Sequence, residues 1–437
     1  MQHFTLFGVG IGPFNLSIAA LARDIGELNA GFADAHSSMT WHPGLLLNDA
    51  RMQTSPLKDM VTAVDPTNPL SFLSYLVSKR KIYAFMAAQM QTISRLEFAD
   101  YLAWVASNID NLMFDNPVEA IEFSDNKFVI HTNKGIFTSE HLCLGTGKRT
   151  HVPEFARPFV GEHCIHASTI GREDHDGKQR SYEGKTLAII GGGQTGADVF
   201  LNLLQGQWGK PKKVIWISRR PNFQALDEGV FSDQYFTPNY GELFYGLDKE
   251  VKQREISQQK LTSDGITSVC LKDIYQHLYH ETFIQGNVGK WVLQPHRTLT
   301  GLAKQGSGYC LTLVNGLTEK TEQCQVDELV FCTGYESSLP AYLGPIKDKL
   351  ALDEKGDFQL NKAFRVKWNG PETNHIYAVN AGLNSHGILE PQLSLSAWRS
   401  ATIINDLLGK SHFDLTQEVK LIDWGHKELQ QETASSY

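Results

Sequence analysis

The chain has 437 residues, 41% of them hydrophobic and 10% aromatic, enough apolar material to fill the cores of two or three domains. A net charge of −8 argues against nucleic acid and anionic membrane as partners, and no apolar run reaches the roughly 18 residues of a membrane span. Six cysteines without a CxxC pair weigh against a zinc site, a thioredoxin-like redox pair or a secreted disulfide scaffold, so a reducing cytoplasm is expected.

The first predicted element is a strand from Phe4 to Phe7. It runs into Gly8, Gly10, Gly12 and Pro13, and a helical stretch follows from Asn15 to Arg23. Glycines at this spacing remove the Cβ atoms that would hold a backbone away from a pyrophosphate, and the helix N-terminus offers unpaired N–H groups to its charge. A second strand ends at Asp34, placed where a ribose hydroxyl needs an acceptor; a surface-turn aspartate is the other reading. His141 to Leu144 predicts a further strand, ending in Gly145, Thr146 and Gly147, and the stretch from Gly161 to Gly184 reads as a linker.

The pattern then repeats. A strand from Thr186 to Ile190 meets Gly191, Gly192, Gly193, Gln194 and Gly196, and a helix follows from Ala197 to Leu204. The next strand, Lys213 to Ser218, ends in Arg219 and Arg220, which suit the 2′-phosphate of NADPH where an acidic residue would take a free ribose; a solvated basic turn is the alternative. A helical section spans Glu250 to Tyr279, and a strand from Glu328 to Phe331 leads into Thr333, Gly334 and Tyr335. This last strand is read as the return of the chain to its first unit. The expected fold is α/β, with two Rossmann-like dinucleotide-binding domains for FAD and NADPH, the second inserted in the first, and a small helical substrate-binding region. The expected boundaries are 1–169 for the first part of the FAD domain and 170–325 for the NADPH domain, with its helical segment at about 226–280. Residues 326–437 are expected to hold the return segment and C-terminal helices.

The runs Gly8 to Leu16, Trp41 to Gly44, Met52 with Gln53, Leu57 to Asp59 and Asp65 to Pro69 are unusual and ordered. With Gly192 to Gln194, Ala225 to Glu228, Asp233 to Pro238, Thr262 to Thr267, Thr333 to Tyr335 and His386 to Ser394, they span nearly the whole chain. This pattern resembles the flavin-dependent N-hydroxylating monooxygenases of siderophore biosynthesis, and within them the lysine type.

The resemblance implies that Asp34 to His42, Trp41 included, and Gln53 lie along FAD, with Val118 on its adenine side. It implies that Gln392 and Leu393 approach the flavin and that Ser394 reaches the flavin–substrate junction. Gly192, Gly193, Gln194 and Arg219 would take NADPH, and Lys58 would pair with an amino-acid carboxylate. Asp233 and Ser263 stand where the ornithine enzymes usually have asparagines, a departure that matches the lysine type. Ser55 and Pro56 replace a larger residue, commonly phenylalanine, which leaves the pocket shape open. With a carboxylate-free amine, Lys58 would need another anion, and Asp233 is the candidate.

By the same resemblance, NADPH reduces FAD, reduced flavin captures O2 as a C4a-hydroperoxide, and the terminal oxygen passes to the free amine of the substrate. Gln53 and Ser394 are placed nearest the chemistry. Composition alone makes Lys58 a surface lysine, and the other readings are that Gln53 satisfies a loop backbone, that Trp41 and His42 cap a strand and fill a core edge, and that Ser394 bonds its own backbone in a helix. L-lysine is the first substrate expected, then histamine or a diamine such as putrescine or cadaverine, then L-ornithine. A homo-oligomer, often a tetramer in this family, is expected as well. A flavin disulfide reductase would need a cysteine pair at the flavin, which the sequence lacks. A carbonyl- or sulfur-oxidising monooxygenase would need a linker fingerprint that Phe159 to His166 misses by one residue, and a non-catalytic nucleotide sensor would not be expected to keep Lys58 and Gln53.

Overall fold

Strand β1 (Gln2–Val9) lies in the middle of a sheet and buries Phe4, Leu6, Phe7 and Val9, the near-continuous apolar run of a strand covered on both faces. The computed structural model describes residues 1–173, 177–416 and 421–425; part of the expected linker (174–176) and part of the expected C-terminal helices (417–420 and 426–437) lie outside them. Helix α1 (Pro13–Ala22) follows, with Pro13 in its first turn and nine of its ten residues buried. Then come β2 (Ala30–Ala33), α2 (Phe72–Ser78), α3 (Ile82–Ala88) and α4 (Arg95–Ala106), and the strands β3 (Leu112–Met113), β4 (Val118–Ser124), β5 (Lys127–Thr132) and β6 (Gly135–Leu144). Their order in the sheet is β3-β2-β1-β6-β5-β4. α1 packs with α2 and α4 in one core on this sheet, and Phe128, Ile130 and Leu343 belong to a second core built on Phe4 and Phe7.

After a short strand β7 (Arg149–Thr150), the second sheet begins with β8 (Cys164–His166), β9 (Thr186–Ile190), α5 (Gln194–Leu204) and β10 (Lys213–Ile217). Helices α6 (Pro238–Gly246), α7 (Lys249–Gln258), α8 (Lys260–Asp264) and α9 (Ser268–Tyr279) intervene before β11 (Trp291–Gln294). An antiparallel layer of β12 (Arg297–Gln305), β13 (Gly308–Asn315) and β14 (Thr321–Val326) precedes β15 (Glu328–Phe331). The five parallel strands run β11-β10-β9-β15-β8.

Two expectations about the crossing are corrected here. Glu328–Phe331 pairs with β9 and β8, inside the second sheet, and does not return to the first. Its four buried residues suit the parallel interior of either sheet, so the pattern carried no address. Cys164–His166, placed before the expected boundary at 170, joins the same sheet. The crossing is a ribbon of β7 against β16 (Tyr335–Glu336), and Glu336 fastens it by accepting from Arg149 Nε at 2.7 Å with His151 Nδ1 at 2.9 Å. The return to the first sheet is made by β17 (Ile376–Ala378), parallel to β6. Helices α10 (Leu383–His386) and α11 (Ser396–Leu408) follow, and α11 adds Ala401, Ile403 and Ile404 to the core around α1. The helical section is divided: α9 packs on α5, while Tyr240 and Phe244 of α6 pack on Leu389 and Leu395 of the returning segment.

The return buries histidines that must stay neutral. His141 Nδ1 accepts the backbone N–H of His375 at 3.0 Å, and burial with neighbouring His375 and Arg365 pushes its pKa down to about 4. His386 stacks on Phe364 at 4.2 Å, and burial pushes it down to about 3. A histidine held below its unfolded value stabilises the fold above pH 6.5, and that contribution falls away as the pH drops toward the folded value. At pH 5 each should withdraw about 2 kcal/mol. Urea unfolding should therefore show a loss of stability between pH 7 and 5, and His386→Phe should flatten that slope; an unchanged slope would remove His386 from the account.

Candidate active site

Both glycine turns stand at the carboxyl ends of parallel strands. In the first, Gly10 has φ +87°, and a Cβ there would lie 2.7 Å from the Gly145 carbonyl, so only glycine fits. Gly8 pairs with Phe32 of β2 and leaves room for its ring, where a Cβ would fall 2.0 Å from Phe32 Cδ1, and Gly12 caps α1. A Cβ on Gly12 would meet nothing closer than 3.7 Å, so this edge of the turn is open. Asn15 Nδ2 donates to the Gly10 carbonyl at 2.7 Å and holds the turn against the helix. Asp34 is not a solvated turn residue: its Oδ2 accepts the Ile11 N–H at 2.6 Å, its Oδ1 accepts the His36 N–H at 2.8 Å, and its side chain is 15% exposed. Asn116 N–H donates to the Asp34 carbonyl, which brings Val118, at the start of β4, within two residues of that strand end.

The second turn repeats the construction. Gly191, at φ +133°, would drive a Cβ to 2.1 Å from the Cys332 carbonyl; Gly192 lies against Ser218; and Gly193 caps α5, where a Cβ would meet nothing closer than the Asp264 carbonyl at 3.8 Å. Arg219 is exposed at the end of β10, while Arg220 Nη1 donates to the Asp264 carbonyl at 2.9 Å. Gln194 Nε2 donates to Asp198 Oδ1 at 2.8 Å, and its Oε1 accepts the Thr267 N–H at 2.8 Å and Gln53 Nε2 at 3.4 Å. Gln53 and Gln194 thus join the two units directly.

Lys58 and Asp233, 175 residues apart in sequence, form an ion pair at 3.2 Å. The loop carrying Lys58 is organised by the buried carboxylate of Asp59, which accepts N–H groups from Val61, Thr62 and Phe72 and the Thr62 hydroxyl, all within 2.9 Å. Trp41 packs edge-on against Phe98 and lies under the Arg95 guanidinium at 5.2 Å. His42, with φ 47°, reaches the Tyr335 hydroxyl at 3.4 Å. Gln392 leads into the turn Leu393–Leu395, in which Leu393 packs on the core around α1. Ser394 is 4% exposed, and its Oγ has no hydrogen-bond partner among the described residues, so it does not bond its own helix. Ser263, expected from the resemblance among the substrate-binding residues, donates its hydroxyl to the Lys260 carbonyl at 3.4 Å.

Arg95, Asp198, Glu390 and Arg399 were not singled out from the sequence, and Thr267 stood there only as the end of a motif run. Ser94 and Glu97 mark the start of α4 as a capping pair, yet no local signal shows Arg95 lying over Trp41. Asp198 is buried on α5 one turn before the buried Asn202, two polar residues in an otherwise apolar helix face, and burial holds its carboxyl above the usual range.

A mixed and a parallel sheet, each presenting a glycine turn at a helix N-terminus and joined across Gln53 and Gln194, define a protein with two facing dinucleotide-binding units. All six cysteines are free, so no disulfide stands in the fold. The chain belongs to the L-lysine 6-monooxygenase/L-ornithine 5-monooxygenase family, whose sequence model matches residues 2–337. It is 43% identical to the L-lysine N6-monooxygenase of Escherichia coli over 95% of this chain and 97% of that protein. It is 29% identical to the putrescine N-hydroxylase of Acinetobacter baumannii over 96% of this chain and 93% of that protein. Among solved structures, the FAD-bound cadaverine monooxygenase of the desferrioxamine pathway from Erwinia amylovora superposes with TM-score 0.89 at 25% identity, covering 97% of this chain and 98% of that one. The expected pair of Rossmann-like units is the fold observed.

Proposed function

We propose that this chain is an FAD- and NADPH-dependent N-hydroxylase that converts L-lysine to N6-hydroxy-L-lysine for a hydroxamate siderophore. FAD is assigned to the sheet of β1 to β6 with β17, and NADPH to the sheet of β8 to β11 with β15, a division that replaces the boundaries expected at 170 and 326. The residues present fit both groups: Gly12 and Gly193 leave their helix ends bare, and Ser394 holds a buried hydroxyl without a partner. Reduced by NADPH, FAD supplies the activated oxygen, so that amine, O2, NADPH and a proton give hydroxylamine, water and NADP+.

What supports L-lysine among the amines is the 43% identity to the L-lysine N6-monooxygenase against 29% to the putrescine N-hydroxylase; the Lys58–Asp233 pair, named from the sequence for a carboxylate-free amine, also suits an amino acid. An amino acid brings one carboxylate and one α-ammonium, the mirror of this pair, and can exchange with it charge for charge. In this reading Lys58 takes the carboxylate, Asp233 takes the α-ammonium, and the extended side chain carries its amine toward Ser394. That amine must be neutral to attack, and a free alkylammonium titrates near about 10.4, so readying it at pH 8 costs about 3 kcal/mol. Burial around Ser394 disfavours the ammonium and supplies part of that cost. A diamine offers Asp233 a partner but leaves Lys58 facing a second cation.

The deciding experiment measures hydroxylamine formed per NADPH consumed with L-lysine, L-ornithine, histamine, putrescine and cadaverine. Tight coupling with L-lysine supports the reading, and tight coupling only with a carboxylate-free amine would overturn it. For the cofactor, Arg219→Ala should erase a preference for NADPH over NADH of about 30-fold, the loss of one charge-assisted phosphate contact of about 2 kcal/mol. A preference that survived would place the phosphate elsewhere. No helix among the described residues is long and apolar enough to cross a membrane, and with six free cysteines a cytoplasmic enzyme is our placement. We also infer a homo-oligomer, for which the exposed Tyr275, Tyr279 and Phe283, spaced four residues apart, offer a surface; light-scattering mass decides it.

A further inference from the structure

We propose that Trp424, far along the chain from either nucleotide turn, is a positioning residue for the amine site. The inference rests on the assignment of Asp233 to the substrate.

Asp233 belongs to a short helical turn, Ser232–Phe236, none of whose residues is buried. Val230 and Phe231 just before it are largely exposed. Backbone bonds from Asp233 N to the Gly229 carbonyl and from Gln234 N to the Phe231 carbonyl shape this turn locally, but they do not tie it to the body of the protein. Three side chains do: Asp233 through its ion pair with Lys58, Phe236 in the apolar cluster around Tyr240, and Tyr235. The Tyr235 ring packs edge-on against Tyr240 at 5.0 Å and stacks on Trp424 at 5.4 Å with an interplanar angle of 28°. Trp424 closes the triangle against Tyr240 at 5.0 Å. Tyr240 is itself 3% exposed and accepts at its hydroxyl from Gln259 Nε2.

The segment that delivers Trp424 is shaped for the purpose. Asp423 Oδ1 accepts the Gly425 N–H at 2.8 Å, and Gly425 has φ +90°, so the chain turns tightly around the tryptophan. The same cluster contains Leu389 and Leu395, and Leu395 adjoins Ser394. One apolar cluster therefore carries the turn of Asp233 on one side and adjoins Ser394 through Leu395 on the other. Losing Trp424 removes two aromatic contacts from Tyr235 and Tyr240 and frees the turn without opening either dinucleotide site.

In the FAD-loaded enzyme, Trp424→Ala should raise the KM for L-lysine about tenfold, the worth of two such ring pairs. The kcat and the amine-free oxidation of NADPH should change less than about twofold, and Trp424→Phe should restore most of the KM. Asp233→Asn is measured alongside. If Asp233→Asn raises KM and Trp424→Ala, folded and FAD-replete, does not, the positioning role is wrong while the amine site stands. If neither variant moves KM, the assignment of Asp233 fails and this proposal fails with it. A Trp424→Ala enzyme that lost FAD or kcat in step with KM would show a general structural role and overturn the proposal as well.

Discussion

Lys58→Ala should raise the KM for L-lysine about 30-fold while leaving amine-free NADPH oxidation at its original rate, because a charge-assisted contact to the substrate carboxylate is worth about 2 kcal/mol. The resting ion pair decides how much of that reaches the substrate. Lys58 and Asp233 keep 33% and 59% of their side chains exposed, and an exposed pair of this kind contributes only about 0–1 kcal/mol. Separating them to admit a zwitterion is therefore cheap, and the new contacts, shielded from water by the bound amino acid, outweigh the old one. The same substitution should act in reverse on a diamine. Cadaverine meets the Lys58 ammonium as a like charge, so its KM should fall or hold in Lys58→Ala. Steady-state kinetics with both amines reads the two signs at once. A KM for L-lysine that did not move would release Lys58 from the substrate, and parallel shifts for both amines would mean that the variant had altered the pocket rather than its charge.

Much of the architecture was legible because backbone chemistry repeats locally. The glycine turns, the strands that feed them and the arginine after β10 all lie where the spacing predicted, since each depends on residues within one turn of itself. The sheet that receives Glu328–Phe331 was not legible, because a short apolar strand satisfies any parallel interior. Ser394 shows a different limit: the apolar run around it suggested a helix-bonded serine, and only the fold reveals a buried hydroxyl without a partner. For Ser263 the outcome is opposite, its hydroxyl going to its own helix. The Lys58–Asp233 pair was named from the sequence only for the case of a carboxylate-free amine, whereas Gln53 against Gln194 and Arg95 over Trp41 arise from tertiary placement alone.

The largest stability effect is expected at Glu390, one of two charges buried together behind the Ser394 turn. Arg399 is 1% exposed, with its guanidinium between Phe14 at 4.6 Å and Phe364 at 5.7 Å. It donates through Nη2 to the Glu390 carbonyl, and its Nε lies 3.7 Å from Glu390 Oε1, too far for a hydrogen bond. Glu390 Oε2 accepts the Gly382 N–H at 2.9 Å, while Arg399 Nε, Arg399 Nη1 and Glu390 Oε1 have no hydrogen-bond partner among the described residues. A buried pair so incompletely bonded adds little stability for its desolvation, yet removing one member strands the other charge, at about 3–5 kcal/mol. Glu390→Ala should lose that amount in urea unfolding, and adding Arg399→Met should restore most of it, because the orphaned charge goes with its partner. Phe14 follows Pro13 at the first glycine turn, and Glu390 precedes Gln392 by two residues, so the pair braces the turn against the segment assigned to the flavin. FAD retention separates the two roles: a double variant that regains stability but releases FAD would show that the charges set the geometry of the turn, and one that regains both would show that packing alone does.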